Sequence, residues 1–335
     1  MNKLPKSRSG ALYLDFQDVA RAITDDDWQF QQFSQLKAYK GMGVSLSFVD
    51  EGVRIDYALA YDPEKMPAGS QDTARSPASL KKANEIVPND AIAYLGFSEF
   101  RKNIEDFLSE VRSQPAFDDF NEELYYFERE SGISLESDIL SWMKGEVAFG
   151  ICSDRNGLFG ARDVPLGVLA LFAAGDPQAV GSKMRKITGL LAREGLRVYD
   201  GTLNGQEIHY LLDPYTGDFI GGYGIRDGYL VIGTSRQMLE KAMGADKEVL
   251  ASSAAFKKAT ANLPSPQDNL IYLDVEKGVK LVSDTLFEFD RDAYREFNRD
   301  VYPFIKPVKS ISLASQEMKS KDNFTTGAAI INIER

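Results

Sequence analysis

The feature that most constrains the fold of this chain is a short unit that recurs three times in 335 residues. Each copy has a Pro-marked turn followed by a strand-like run with Tyr at its second position. The runs span residues 12–16, 93–97 and 271–275, and the Pro residues before them are Pro5, Pro88 and Pro264. Lys82-Ala83 and Lys258-Ala259 precede the second and third Pro at the same offset of 176 residues. A match that extends through a helix, a Pro and a Tyr strand predicts internal duplication.

The three copies continue in parallel after the Tyr strand. Apolar residues at helical spacing come first. They are Val19, Ala20 and Ile23 in the first copy, Phe100, Ile104, Phe107, Leu108 and Val111 in the second, and Val279, Val282 and Leu286 in the third. An acidic and aromatic segment follows in residues 25–33, 117–127 and 287–297. A β-hairpin then closes each unit, in residues 44–61, 147–174 and 311–333. Each unit therefore predicts a strand, a helix and a hairpin.

The middle copy has an extension. Asp176-Pro177 predicts the start of a helix. Asn204-Gly205 and Asp227-Gly228 each lie between strand patterns and predict two further hairpins. Ser235 predicts the N-cap of a short helix. The extension continues the same alternation of helix and antiparallel hairpin.

Adjacent hairpins place consecutive strands antiparallel, which favours an α+β fold over a doubly wound parallel sheet. We predict repeated strand–helix–hairpin units that form antiparallel sheets, with helices packed on one face and two lobes. The predicted divisions are a first, shorter unit (1–62), a linker (63–76), a central extended unit (77–250) and a third unit (251–335). We expect the third unit to pack with the first and complete a lobe.

These patterns resemble the uncharacterised bacterial DUF3352 family. The resemblance rests on the Pro and Tyr strand units, on the Ser253-x-x-Phe-Lys-Lys-Ala259 helix, and on the stretches 137–146 and 228–235. It implies an extracytoplasmic protein of the cell envelope, carried behind an N-terminal membrane anchor, with no established activity and no catalytic residues. The polar opening of this chain lacks an apolar anchor segment, so on this implication the anchor would precede Met1.

Composition excludes several classes of protein. One His and one Cys cannot build a multi-histidine zinc site, an all-cysteine metal site or an iron–sulfur cluster, so we expect no metal and no cofactor. The net charge of −11 argues against a nucleic-acid partner, which needs dense Lys and Arg. No stretch approaches the roughly 20 apolar residues of a membrane span.

A search for catalytic motifs finds none. The chain has no Gly-x-Ser-x-Gly elbow and no P-loop. The Gly-rich stretch 41–43 lacks the third Gly of a dinucleotide fingerprint, and no helix follows the stretch 221–224. His209 is the only imidazole available as a base, and its alternation with Ile208 and Tyr210 indicates a histidine on a strand face. Cys152 ends a strand and is typical of a small half-buried hydrophobe. We therefore predict no catalytic and no cofactor-binding residues.

Carboxylates cluster at Asp25-Asp26-Asp27, at Asp118, Asp119, Glu122 and Glu123, and at Asp290 and Asp292. Solvated helix faces and N-terminal turns explain such clusters best. Weak cation binding and acid–base catalysis remain alternatives.

Aromatic residues accompany the acids in all three segments. At helical spacing most of them are core residues, but some are expected to form an exposed partner surface. The candidates are Trp28, Tyr125, Tyr126 and Tyr294. The sequence thus favours a non-catalytic binding or scaffolding protein whose partner is another envelope protein. The alternatives are a carrier or sensor that holds an apolar ligand between lobes, and an enzyme with an acidic site.

Overall fold

The computed structural model of the chain describes residues 4–16, 18, 38–65, 80, 82–98, 100–113, 117–157, 164–244, 248–265, 267–319 and 323–334. Its strands are β1 (Gly10–Asp15), β2 (Tyr39–Val49), β3 (Gly52–Tyr61), β4 (Ala93–Phe97), β5 (Met143–Ser153), β6 (Leu166–Ala174), β7 (Arg197–Leu203), β8 (Gln206–Leu212), β9 (Phe219–Arg226), β10 (Tyr229–Gly233), β11 (Asn269–Asp274), β12 (Val308–Lys319) and β13 (Phe324–Ile333). Its helices are α1 (Phe100–Ser113), α2 (Asp118–Ser131), α3 (Pro177–Arg193), α4 (Arg236–Met243), α5 (Ala254–Thr260), α6 (Val275–Phe289), α7 (Arg291–Glu296) and α8 (Tyr302–Ile305).

Turn and cap chemistry explains where these elements begin and end. Asp176 accepts hydrogen bonds from the backbone N–H groups of Gln178 (3.0 Å) and Ala179 (3.1 Å), and so caps α3. Asn204 and Gly205 both adopt positive φ angles, 52° and 78°, as a two-residue hairpin turn requires. The predicted helix start at residue 177 and the predicted hairpin of β7 and β8 are thereby confirmed.

All the described strands join in one antiparallel sheet, in the order β1-β2-β3-β13-β12-β11-β4-β5-β6-β10-β9-β8-β7. The predicted α+β class with a large antiparallel sheet is confirmed. The predicted division into two lobes is not confirmed, because the sheet is continuous. Strand β13 pairs with β3, and β11 pairs with β4 with Tyr272 opposite Tyr94.

Helices cover both faces of the sheet. Consecutive residues of β10 show this, since Val231 packs in one core with Met238 and Leu239 of α4, whereas Leu230 packs in another with Val180 of α3. Successive side chains of a strand point to opposite faces. The prediction that helices pack on one face is therefore wrong: the central strands are apolar on both sides, and each side needs a helical cover.

Several predicted segments take other forms or lie outside the described residues. The segment before Pro88 forms a short 3-10 turn (Ala83–Glu85), whereas its counterpart before Pro264 forms α5. Pro63–Lys65 is also a 3-10 turn, and the rest of the predicted linker, 66–76, lies outside the described residues. So do the expected first helix, with Val19, Ala20 and Ile23, and the acidic segment that contains Trp28.

Candidate functional site

Helix α2 presents an aromatic surface to solvent. None of its residues is buried, and Tyr125, Tyr126 and Phe127 are 61%, 42% and 54% exposed. Phe120 and the preceding Phe117 are also exposed. The rings of Tyr125 and Tyr126 meet edge to face at 5.8 Å. Helices of a folded domain ordinarily bury an apolar stripe, so this helix is unusual in leaving its aromatic residues uncovered.

The same helix is strongly acidic. It carries six acidic residues and one Arg, a net charge of −5. Asp118 and Asp119 occupy the first turn, where the helix dipole favours negative charge. The guanidinium of Arg129 lies 4.9 Å from the centre of the Tyr126 ring. We call α2 together with Phe117 the aromatic–acidic surface.

The other predicted surface residues divide into two cases. Tyr294 is half-buried on α7, where its ring contacts Phe287 at 5.3 Å. Trp28 lies outside the described residues. The structure therefore brings Tyr125 and Tyr126 together on one surface. The ring contact of Tyr294 is with Phe287, which belongs to the same acidic and aromatic segment, residues 287–297. Sequence reasoning did not single out Phe289 or Phe304, which are 60% and 80% exposed.

A second feature lies at the end of the sheet that β7, β8 and β9 form. Strand register aligns Asp200, His209 and Tyr223 as cross-strand neighbours on β7, β8 and β9. His209 Nδ1 lies 2.6 Å from Asp200 Oδ1, and the imidazole stacks on the Tyr223 ring at 4.4 Å. A groove of about 590 Å³ opens beside this row, between the strands and α3. Burial, the largest cause, raises the pKa of Tyr223.

Cys152 is a buried core residue. It is 4% exposed, and burial raises the pKa of its thiol to about 12, so the thiolate required of a nucleophile is not populated at neutral pH. In the part of the chain that the structure describes, the side-chain hydrogen bond of His209 goes to Asp200 and not to a Ser or Cys nucleophile. The geometry provides no activated nucleophile there.

The acidic clusters lie on surfaces. Asp118, Asp119, Glu122 and Glu123 are exposed on α2, and Asp290 caps α7 by accepting from the N–H groups of Asp292 and Ala293. Asp25-Asp26-Asp27 lies outside the described residues. Within the described ranges, no three His, Cys, Asp or Glu side chains converge as metal ligands. The helices of the same ranges include none that is long and apolar enough to cross a membrane.

An antiparallel sheet covered by helices, with an exposed aromatic and acidic helix, defines an α+β protein. The model of the family described as "Protein of unknown function (DUF3352)" matches residues 1–333. The chain belongs to this family. No curated protein matches it.

Among solved structures, the chain is similar to TP0453 in three crystal forms. Form I has a TM-score of 0.32 at 12% sequence identity and covers 72% of this chain and 75% of that one. Form III has a TM-score of 0.31 at 11% identity, with 74% and 77% covered. Form IV has a TM-score of 0.30 at 10% identity, with 75% and 79% covered.

Proposed function

We propose that this chain is a non-catalytic binding or scaffolding protein of the cell envelope, and that it holds a basic protein partner against the aromatic–acidic surface. The observation that carries the proposal is that α2 buries none of its residues and exposes four aromatic rings. Exposed aromatic residues grouped on one helix are typical of protein interfaces.

The charge of the helix supports the choice of partner. Carboxylates on the same helix as Tyr125 and Tyr126 keep the surface hydrated in the unbound protein. They also attract a positively charged surface and repel an acidic one. A partner that covers the rings with apolar side chains and meets the acids with Lys or Arg would satisfy both features.

The envelope location and the duplication are parts of the same proposal. The resemblance to an extracytoplasmic family supports the location, and fractionation of the native host tests it. Duplication is supported by the common strand order of β1-β2-β3, β4-β5-β6 and β11-β12-β13. Superposition of an experimental structure on itself tests the duplication, with Tyr94 expected to fall on Tyr272.

A site-specific photo-crosslinker identifies the partner. Benzoylphenylalanine is placed at residue 125 or 126 in the native host, and at residue 215 as the control, because Tyr215 is 95% exposed in the loop between β8 and β9. We expect a discrete crosslinked basic protein from 125 and 126 and not from 215.

Binding of the purified partner then provides the quantitative test. The double variant Y125S/Y126S is expected to weaken binding about tenfold or more, and added salt should slow association. The absence of a crosslinked species at both positions, or an unchanged affinity in the double variant, contradicts the proposal.

A further inference from the structure

We infer that the groove between α3 and strands β8 and β9 is a binding site for a small zwitterion, an α-amino acid or a short peptide, that carries a carboxylate and an ammonium group. The residues that line the groove include Gly181, Arg185, Glu207, His209, Tyr223 and Ile225. The volume of about 590 Å³ lies within the range of small-molecule pockets.

Arg185 supplies the positive charge on one wall. Its Nη2 lies 3.4 Å from Ser182 Oγ on the same helix. A Cβ atom added at Gly181 would lie 3.7 Å from both Arg185 Nη1 and Ile225 Cδ1. The guanidinium therefore folds back over the space that the missing side chain of Gly181 leaves. Among the described residues, no carboxylate lies within 4.0 Å of it.

Glu207 supplies the negative charge on the opposite wall. It lies two residues before His209 on β8, so both side chains project from the same face of the strand. Within the described ranges its carboxylate has no Lys or Arg nitrogen at ion-pair distance. Two opposite charges thus line one groove without pairing to each other, an arrangement that a zwitterion satisfies at both ends.

Tyr223 lines the floor of the groove. Tyr223 is 3% exposed, and its hydroxyl has no hydrogen-bond partner in the described part of the structure. Thr188 lies near this hydroxyl; it donates to the carbonyl of Met184 at 3.0 Å, and its oxygen remains able to accept from Tyr223. Tyr223 therefore gives the groove a packed floor, and the charged contacts of an occupant fall to Arg185 and Glu207.

His209 completes the polar wall. Its Nδ1 lies 2.6 Å from Asp200 Oδ1 across the hairpin, which fixes the ring plane and leaves Nε2 on the other edge. Stacking on Tyr223 holds the ring in that orientation. The groove therefore combines a carboxylate receptor, Arg185, with an acceptor for an ammonium group, Glu207, beside the fixed ring of His209.

Isothermal titration calorimetry of the full chain against the free amino acids and the dipeptide Gly-Gly tests the inference. We expect saturable binding of at least one of these probes. R185Q and E207Q should each weaken that binding about tenfold or more, which corresponds to about 1.4 kcal/mol. The matched control is R193Q, because Arg193 lies on the same helix outside the groove and its Nε donates to the Gly189 carbonyl.

Two derivatives of the strongest ligand test the contribution of each of its two charges. Its N-acetyl form lacks the ammonium group and its amide form lacks the carboxylate, so each should bind about tenfold more weakly. Both charged residues lie on the surface, and the melting temperature of each variant confirms that it is folded. The inference is overturned if none of the probes binds, if R185Q and E207Q bind like R193Q, or if both derivatives bind as tightly as the parent compound.

Discussion

Asp138 Oδ2 lies 2.6 Å from Lys186 Nζ, and this contact joins the segment before β5 to helix α3. The other oxygen of the carboxylate lies 2.7 Å from Lys183 Nζ, and the Ser134 N–H donates to Oδ2 at 3.0 Å. Asp138 is 5% exposed, so its charge depends on these partners. Without them, a buried carboxylate would be costly.

The first prediction is that D138N lowers the free energy of unfolding by about 2 kcal/mol. Asn keeps the shape of the side chain but loses both ion pairs. Partial exposure of the two lysines limits the effect. Urea unfolding measures it. The matched control is E136Q, because Glu136 pairs with Arg112 on the surface and its loss should cost less than about 0.5 kcal/mol. Equal effects of the two substitutions would contradict the prediction.

The second prediction concerns pH. Hydrogen bonds from Lys183 and Lys186 hold the pKa of Asp138 well below its usual range. A lowered pKa stabilises the folded state fully above the unfolded pKa of about 3.9 and progressively less below it, by up to about 1.4 kcal/mol per pH unit. The stability difference between the natural chain and D138N should stay constant from about pH 7 to 5 and shrink below about pH 4. A difference that persists unchanged below that pH would refute it.

The third prediction concerns the buried carboxylate of Glu146. Tyr229 donates its hydroxyl to Glu146 Oε2 at 2.6 Å, and both residues are buried. Burial, together with the neighbouring carboxylate, raises the pKa of Tyr229, so the phenol remains a donor throughout the neutral range. Y229F removes this donor and should destabilise the fold by about 2 kcal/mol in urea unfolding. Y199F, at a 60% exposed ring on β7, should change stability by less than about 0.5 kcal/mol.

The fourth prediction uses two glycines of α3. G181A and G189A should each raise the free energy of unfolding by about 0.5–1 kcal/mol, because Gly disfavours a helix interior. At Gly189 nothing lies within 4 Å of the added Cβ, and at Gly181 the nearest atoms lie at ordinary contact distance. Only G181A places a methyl group beside Arg185 in the groove. Calorimetry should therefore show weaker ligand binding in G181A and unchanged binding in G189A. Equal binding by both variants would contradict this prediction.

The row of Asp200, His209 and Tyr223 shows how far local rules extend towards a site. A two-residue turn at Asn204-Gly205 places Asp200 directly opposite His209, so this half of the row can be derived from the turn alone. The pairing of His209 with Tyr223 cannot. A loop and a register shift between Leu211 and Leu212 separate the two strands, and tertiary packing decides their alignment.

The aromatic–acidic surface shows what local sequence rules cannot predict, which is whether a helix face is buried or exposed. The spacing of the aromatic residues in 117–127 predicts a helix, and α2 is that helix. The same spacing describes a buried stripe as well as an exposed one. Whether Tyr125 and Tyr126 face a core or solvent depends on what packs against the helix, and that information is not local.

The sequence by itself determined the hairpins, the helix caps and the antiparallel pairing within each unit, since these depend on contacts between residues close along the chain. Tertiary structure decided the rest. It joined the units into one sheet through β3 with β13 and β4 with β11, and it placed helices on both faces. The apolar run of β10 is compatible with cover on either side, and only the competition of all helices for the same apolar surface selects the arrangement.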